Sequence, residues 1–151
     1  MMTETIVIQS DIANIPQVEE RLYHFCAEYN VGRYYSAVCM AVLKAVENAI
    51  VHGNGSDPAK KVEITMGTCR GGVYVEIADQ GEGFDYTRYG SLATEGVSGD
   101  GIFVMKSLSD RMTFSEGGRR VRMEFGVAGI DPADALERIA IVQHHFAMVA
   151  A

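Results

Sequence analysis

The stretch Lys44-Ala45-Val46-Glu47-Asn48-Ala49-Ile50-Val51-His52-Gly53-Asn54-Gly55-Ser56-Asp57-Pro58 decides how the chain is read. Its first part closes an apolar run, residues 34–52, whose polar breaks are mainly Lys44, Glu47, Asn48 and His52. A helix turns about 100° per residue, so Lys44, Asn48 and His52 share one stripe and Glu47 lies beside it. A helix that is apolar on most sides belongs in an interior, and polar groups carried there need partners or a ligand. The second part is punctuation, because glycine admits the left-handed turns that end helices and proline cannot continue one.

On the N-terminal side, residues 4–9 read as a strand. Residues 15–29 read as a helix, with Val18, Leu22, Phe25 and Cys26 at helical spacing. On the C-terminal side, 62–68 and 73–78 alternate like paired strands around Gly71-Gly72. The glycine-rich stretch 79–101 is too long for a simple connection, and such loops are usually functional. A helix over 102–109, strands over 112–115 and 121–127 joined through Gly117-Gly118, and a helix over 132–148 complete the order. Asp131 can cap that last helix, with Pro132 at its first position. This order predicts an α+β fold, a two-layer sandwich with a mostly antiparallel (mixed) sheet and helices on one face. Residues 1–151 are expected to form a single domain, with a core of 4–127 and a terminal helix at 131–150.

Composition narrows the function. A chain of 151 residues, 48% of them hydrophobic, can bury one sizeable core. No run approaches the roughly 18 apolar residues of a membrane helix, and the first residues lack the pattern of a secretion signal, so a cytoplasmic protein without membrane contact is expected. A net charge of −7 argues against direct nucleic-acid binding, which draws on Lys and Arg. Cys26, Cys39 and Cys69 are odd in number and widely spaced, and read as reduced, buried thiols.

Three polar clusters carry candidate chemistry. Asn48, with an amide oxygen and an amide donor, can coordinate a hard cation while donating to a phosphate; the alternative is that Asn48 and His52 satisfy nearby backbone. Asp79-Gln80-Gly81-Glu82-Gly83-Phe84 follows a strand. There a carboxylate can accept from an exocyclic amine such as adenine's, and glycines let the backbone approach a flat base; alternatively it is an ordinary turn. Gly99-Asp100-Gly101-Ile102-Phe103 opens a predicted helix, whose free amides suit nucleotide phosphates; alternatively it is a capped helix start.

In order and spacing these clusters resemble the three nucleotide boxes of the Bergerat-fold, histidine-kinase-like ATPases, which include histidine kinases and gyrase. The strings Asn48-Ala-Ile-Val-His52-Gly53-Asn54 and Gly101-Ile-Phe-Val-Met-Lys106-Ser-Leu are most similar to the anti-sigma serine-protein kinases. The resemblance implies ATP and Mg²⁺ as cofactors, a sigma factor as partner, and serine phosphorylation of a STAS-type anti-anti-sigma protein. It implies that Asn48 holds Mg²⁺, Asp79 reads adenine, Gly81, Gly83 and Phe84 line the base, Gly99, Gly101 and Ile102 meet the phosphates, and 84–98 form a mobile lid.

Two positions depart from that family pattern. Where the resemblance implies a general-base Glu, one turn before Asn48, this chain has Lys44, and an ammonium has no lone pair with which to accept a proton. Glu47 is the nearest substitute, although it leaves the helix about 100° from Asn48. An ATP-binding module without phosphotransfer is therefore the alternative function. The second departure is Gly118-Arg119, where the family often has Gly-Thr. In the terminal helix, Ala135, Leu136, Ile139, Val142 and Phe146 form a stripe that covers the core or a homodimer interface, while His144 and His145 are expected at the surface.

Overall fold

The computed structural model describes residues 3–29, 34–89, 96–126 and 132–150. Strand β1 (Thr3–Gln9) buries Ile8 and turns its other face outward. Asp11 then caps a short turn by accepting from the Ala13 amide at 2.9 Å. Helix α1 (Ile15–Glu28) starts with a proline in its first turn, where no N–H is needed. It buries Val18, Leu22, Phe25 and Cys26, the i, i+4, i+7, i+8 face that the sequence pattern predicts. Helix α2 (Tyr35–Asn48) buries Ala37, Val38, Ala41, Val42, Ala45 and Val46, and these small side chains let neighbouring helices approach closely. It does not run on as α-helix to His52. From Ala49–Gly53 it widens into a π-helical turn, closed by the Asn54 amide donating to the Ala49 carbonyl at 2.9 Å.

Strands β2 (Lys61–Cys69) and β3 (Gly72–Ala78) follow as a hairpin, then helix α3 (Gly96–Leu108), strands β4 (Arg111–Ser115) and β5 (Arg120–Phe125), and helix α4 (Pro132–Ala150). The sheet order is β1-β2-β3-β5-β4, and all of these pairings are antiparallel. The inward residues Val62, Ile64, Met66, Val73, Val75, Ile77, Val121, Met123 and Phe125 join the helix faces in one apolar core. The outward residues are polar: Arg120 and Arg122 both pair with Glu76, and Arg122 lies 3.8 Å over the Tyr74 ring.

Three details differ from expectation. Helix α3 begins at Gly96, so neither Gly99 nor Gly101 opens it: Gly99 falls in its first turn and Gly101 lies beyond that turn. His144 is exposed as expected, but His145 is partly buried: it stacks on Phe103 with ring centres 4.1 Å apart, and its buried Nε2 has no partner among the described residues. On α4, Val142 is buried and Ile139 and Phe146 pack against the core, but Leu136 is 61% exposed. Arg138 fastens this helix to the buried Asp110 carboxylate at 2.7 Å. Asp131 and the middle of the expected lid, 90–95, lie outside the described residues. All three thiols are free; Cys26 is buried, while Cys39 and Cys69 are only partly so. Burial pushes Cys26 up to about 12, which leaves it an inert thiol. No helix among the described residues is long and apolar enough to cross a membrane.

Ile64 sits fully buried in β2, where truncation leaves a cavity that the rigid sheet cannot close. Ile64→Ala is expected to cost about 3 kcal/mol, read as a lowered urea midpoint at unchanged m-value.

Candidate functional site

Asn54 sets the site. Its side chain is only 2% exposed and is fully engaged: the amide nitrogen donates to the Ser10 hydroxyl at 2.8 Å and the Lys61 carbonyl at 3.0 Å, and the oxygen accepts from the Gln80 amide at 2.7 Å. One residue thereby ties the end of α2 to the end of β1, the start of β2 and the loop after β3. The sequence reading placed Asn54 in a helix-stopping turn and at the end of a family-like string, without a structural role. The signal available was an amide directly after Gly53, but nothing in a linear pattern says that it is buried.

With α2 pinned there, Gly53 lies against Asp79 so closely that a Cβ would overlap the carboxylate, and Gly81 similarly meets the Gly53 carbonyl. Asp79 Oδ1 accepts from the Gly81 amide at 2.8 Å, and the Asp79 amide donates to the Arg119 carbonyl at 2.9 Å. Burial raises the Asp79 pKa, while the Gly81 hydrogen bond and the charges of Arg119 and Lys60 act in the opposite direction. The Phe84 amide donates to the Gly117 carbonyl at 2.9 Å, and Gly118 fits under the Phe84 ring because it has no side chain.

These contacts leave a cavity of about 270 Å³ between α2, α3 and the sheet. Of the predicted residues, Asn48, His52, Asp79, Gly83, Phe84 and Ile102 line it. Gly81 stands behind the wall, holding Asp79. Gly101 also serves from behind: a Cβ there would lie 2.5 Å from Asn48 Nδ2, so this glycine lets the Asn48 amide sit against α3. Gly99 lies in the same helix, whose first turn begins at Gly96. Lys44 and Glu47 are not on the wall; Nζ of Lys44 is 3.7 Å from Oε1 of Glu47, a half-exposed pair on α2. The sequence reading missed Phe114 as a lining residue and named Arg119 only as a departure from the family pattern. Phe114 stacks on Tyr86 with ring centres 5.1 Å apart and meets Phe84 edge-on at 5.3 Å, giving the cavity an aromatic side.

A purine fits this chemistry: an apolar, partly aromatic slot carries one half-buried carboxylate acceptor, Asp79, and backbone stripped of side chains at Gly53, Gly83 and Gly118. Asn48 lies five residues before Gly53, across the π-helical turn, where it offers one amide oxygen to a cation and two N–H donors to phosphate. Among the described residues no cluster of three His, Cys, Asp or Glu could hold a metal. A Mg²⁺ here would thus take one protein oxygen from Asn48, with phosphates and water completing its shell.

Comparison with known proteins agrees with this geometry. The model of the family described as the histidine kinase-like ATPase domain matches residues 8–125. Two relatives named anti-sigma F factor, from Clostridium botulinum strains Eklund 17B (type B) and Alaska E43 (type E3), are each 35% identical to the chain over 103 residues. Each match covers 59% of this chain and 68% of the relative.

Asn54→Ala would leave the Gln80 amide and two other groups without their partner, and is expected to cost about 2 kcal/mol in a urea titration. Asp79 gives a pH test. A carboxyl whose pKa is higher in the fold than in the unfolded chain stabilises the fold below its unfolded value, and loses that contribution as pH rises through its folded value. At about pH 7 Asp79→Asn is therefore expected to be at least as stable as wild type, with wild type gaining relative stability toward about pH 4. A neutral-pH loss on Asp79→Asn would show that the fold favours the ionised carboxylate instead.

Proposed function

Because the chain belongs to the histidine kinase-like ATPase family, we propose that it binds ATP with Mg²⁺ in this cavity and acts as an anti-sigma regulator that captures a sigma factor. The supporting observation is that Asn48 and Asp79, far apart in sequence, line one cavity together with Gly83 and Phe84. Asp79 accepts from the exocyclic amine of adenine, and Gly83 and Phe84 lie against the base. Asn48 supplies an oxygen to Mg²⁺ and its amide to the phosphates. The phosphates run toward α3, where Gly99 belongs to the first turn and Ile102 forms the wall. The name shared by the two relatives, anti-sigma F factor, motivates the sigma-factor partner.

Phosphorylation of a serine on a STAS-type anti-anti-sigma protein would form an Oγ–P bond, break the bond between the γ-phosphorus and its bridging oxygen, and release ADP. The serine proton then needs an acceptor near the phosphate. Glu47 is the nearest carboxylate on α2, yet it is paired with Lys44 and does not line the cavity. That pairing favours a second reading, in which ATP shapes the partner-binding surface without phosphotransfer.

Calorimetry with Mg²⁺ and ATP tests the site: Asn48→Ala is expected to lose tenfold or more in affinity, and a wild-type protein that binds no nucleotide would end the proposal. Incubation with γ-labelled ATP and a STAS-type protein from the same cell separates the two readings. Under the second, wild type transfers little label and Lys44→Glu raises the rate by about a hundredfold, the scale of a restored general base. Fast wild-type transfer that Glu47→Gln abolishes would instead establish the kinase reading.

A further inference from the structure

Resting on the assignment of the cavity to an adenine nucleotide, we propose that Arg119 is a second base-reading residue, its guanidinium donating to the adenine ring nitrogen N1 beside the amine that Asp79 accepts. The end of the sheet brings the two residues together just past their strands. Ala78 pairs with Arg120, and one step further the Asp79 amide donates to the Arg119 carbonyl. Arg120 and Arg122 reach outward to Glu76, whereas Arg119, the helical residue that closes the turn before β5, lines the cavity together with Val121. Opposite charges at such a position ordinarily meet. Here each is held by its own loop: Arg119 Nε donates to the Glu116 carbonyl at 3.0 Å, and Asp79 Oδ1 accepts from the Gly81 amide. Among the described residues no ion pair joins them, and the two terminal nitrogens of Arg119 have no partner. The Arg119 stem also passes Gly83, its Cγ lying 3.7 Å from where a Cβ would stand, which keeps the guanidinium at the mouth beside the base slot.

An acceptor and a donor held apart at this end of the sheet are complementary to an edge that presents a donor next to an acceptor. Adenine offers that order, an N–H₂ beside N1. Guanine offers the reverse at the same edge, O6 beside an N1–H, so the carboxylate would face an oxygen and the guanidinium a donor. The pair therefore selects ATP over GTP through both ends of the edge, and Arg119, a donor-only group, performs the half that Asp79 cannot.

The test combines a protein deletion with a ligand deletion. Affinities of wild type and Arg119→Ala are measured by calorimetry for Mg²⁺ complexes of ATP, GTP and 1-deaza-ATP, which lacks N1. Arg119→Ala is expected to weaken ATP about tenfold, to leave 1-deaza-ATP unchanged and to narrow the preference over GTP. Wild type should itself bind 1-deaza-ATP about tenfold more weakly than ATP, a comparison that needs no variant to fold. An equal loss of ATP and 1-deaza-ATP on Arg119→Ala would place the guanidinium on phosphate or ribose, and no loss at all would remove it from the site. Either result overturns the proposal while leaving nucleotide binding intact. Failure of wild type to bind any adenine nucleotide would instead overturn the reading on which it rests.

Discussion

The site depends on one buried amide. Asn54 is enclosed by the chain it organises and bonds to three separate segments, Ser10, Lys61 and Gln80. A buried side-chain amide with every bond made is rigid, because each alternative orientation strands a polar group away from water. Its position straight after the π-helical turn transfers that rigidity to the end of α2, and so to Asn48, His52 and Gly53.

Close approach follows from that anchoring. Gly53, Gly81 and Gly118 each stand where a side chain would collide with Asp79, with the Gly53 carbonyl or with Phe84. Around position 100 the same device works on the other wall, where Gly101 lets the Asn48 amide lie against α3. The glycines of the second and third clusters thus divide their labour. Some face the ligand space, as Gly83 does, and others stand behind it and hold the polar groups that face it. The cost is a carboxyl placed where burial disfavours its charge, moderated by Gly81 and Arg119.

The catalytic question turns on one helical surface. Lys44 and Glu47 pair with each other on α2 outside the cavity wall, so the only carboxylate lining the cavity among the described residues is Asp79, bound to its neighbouring Gly81. On the proposed nucleotide reading, the described residues provide a slot for a base but no second cavity-lining carboxylate to accept a proton. That contrast is why nucleotide-dependent capture of a partner fits it more readily than group transfer.

The sequence by itself determined the elements and the identities of the main polar groups. Alternation in 62–68 and 73–78 and the apolar run of 34–52 are local patterns, and local patterns survive without tertiary information. Asn48 was legible as a polar break in an apolar run, and Asp79 as a carboxylate beside glycines at the end of an apolar strand. Tertiary structure alone decided what those patterns cannot encode: that α3 starts at Gly96, that a partly buried His145 stacks on Phe103, that Asn54 is the hub, and that the Asp79 amide bonds to the Arg119 carbonyl. Each of these depends on the register between segments distant along the chain. Such register follows from packing and hydrogen bonding summed over the whole core, not from any residue's own neighbours.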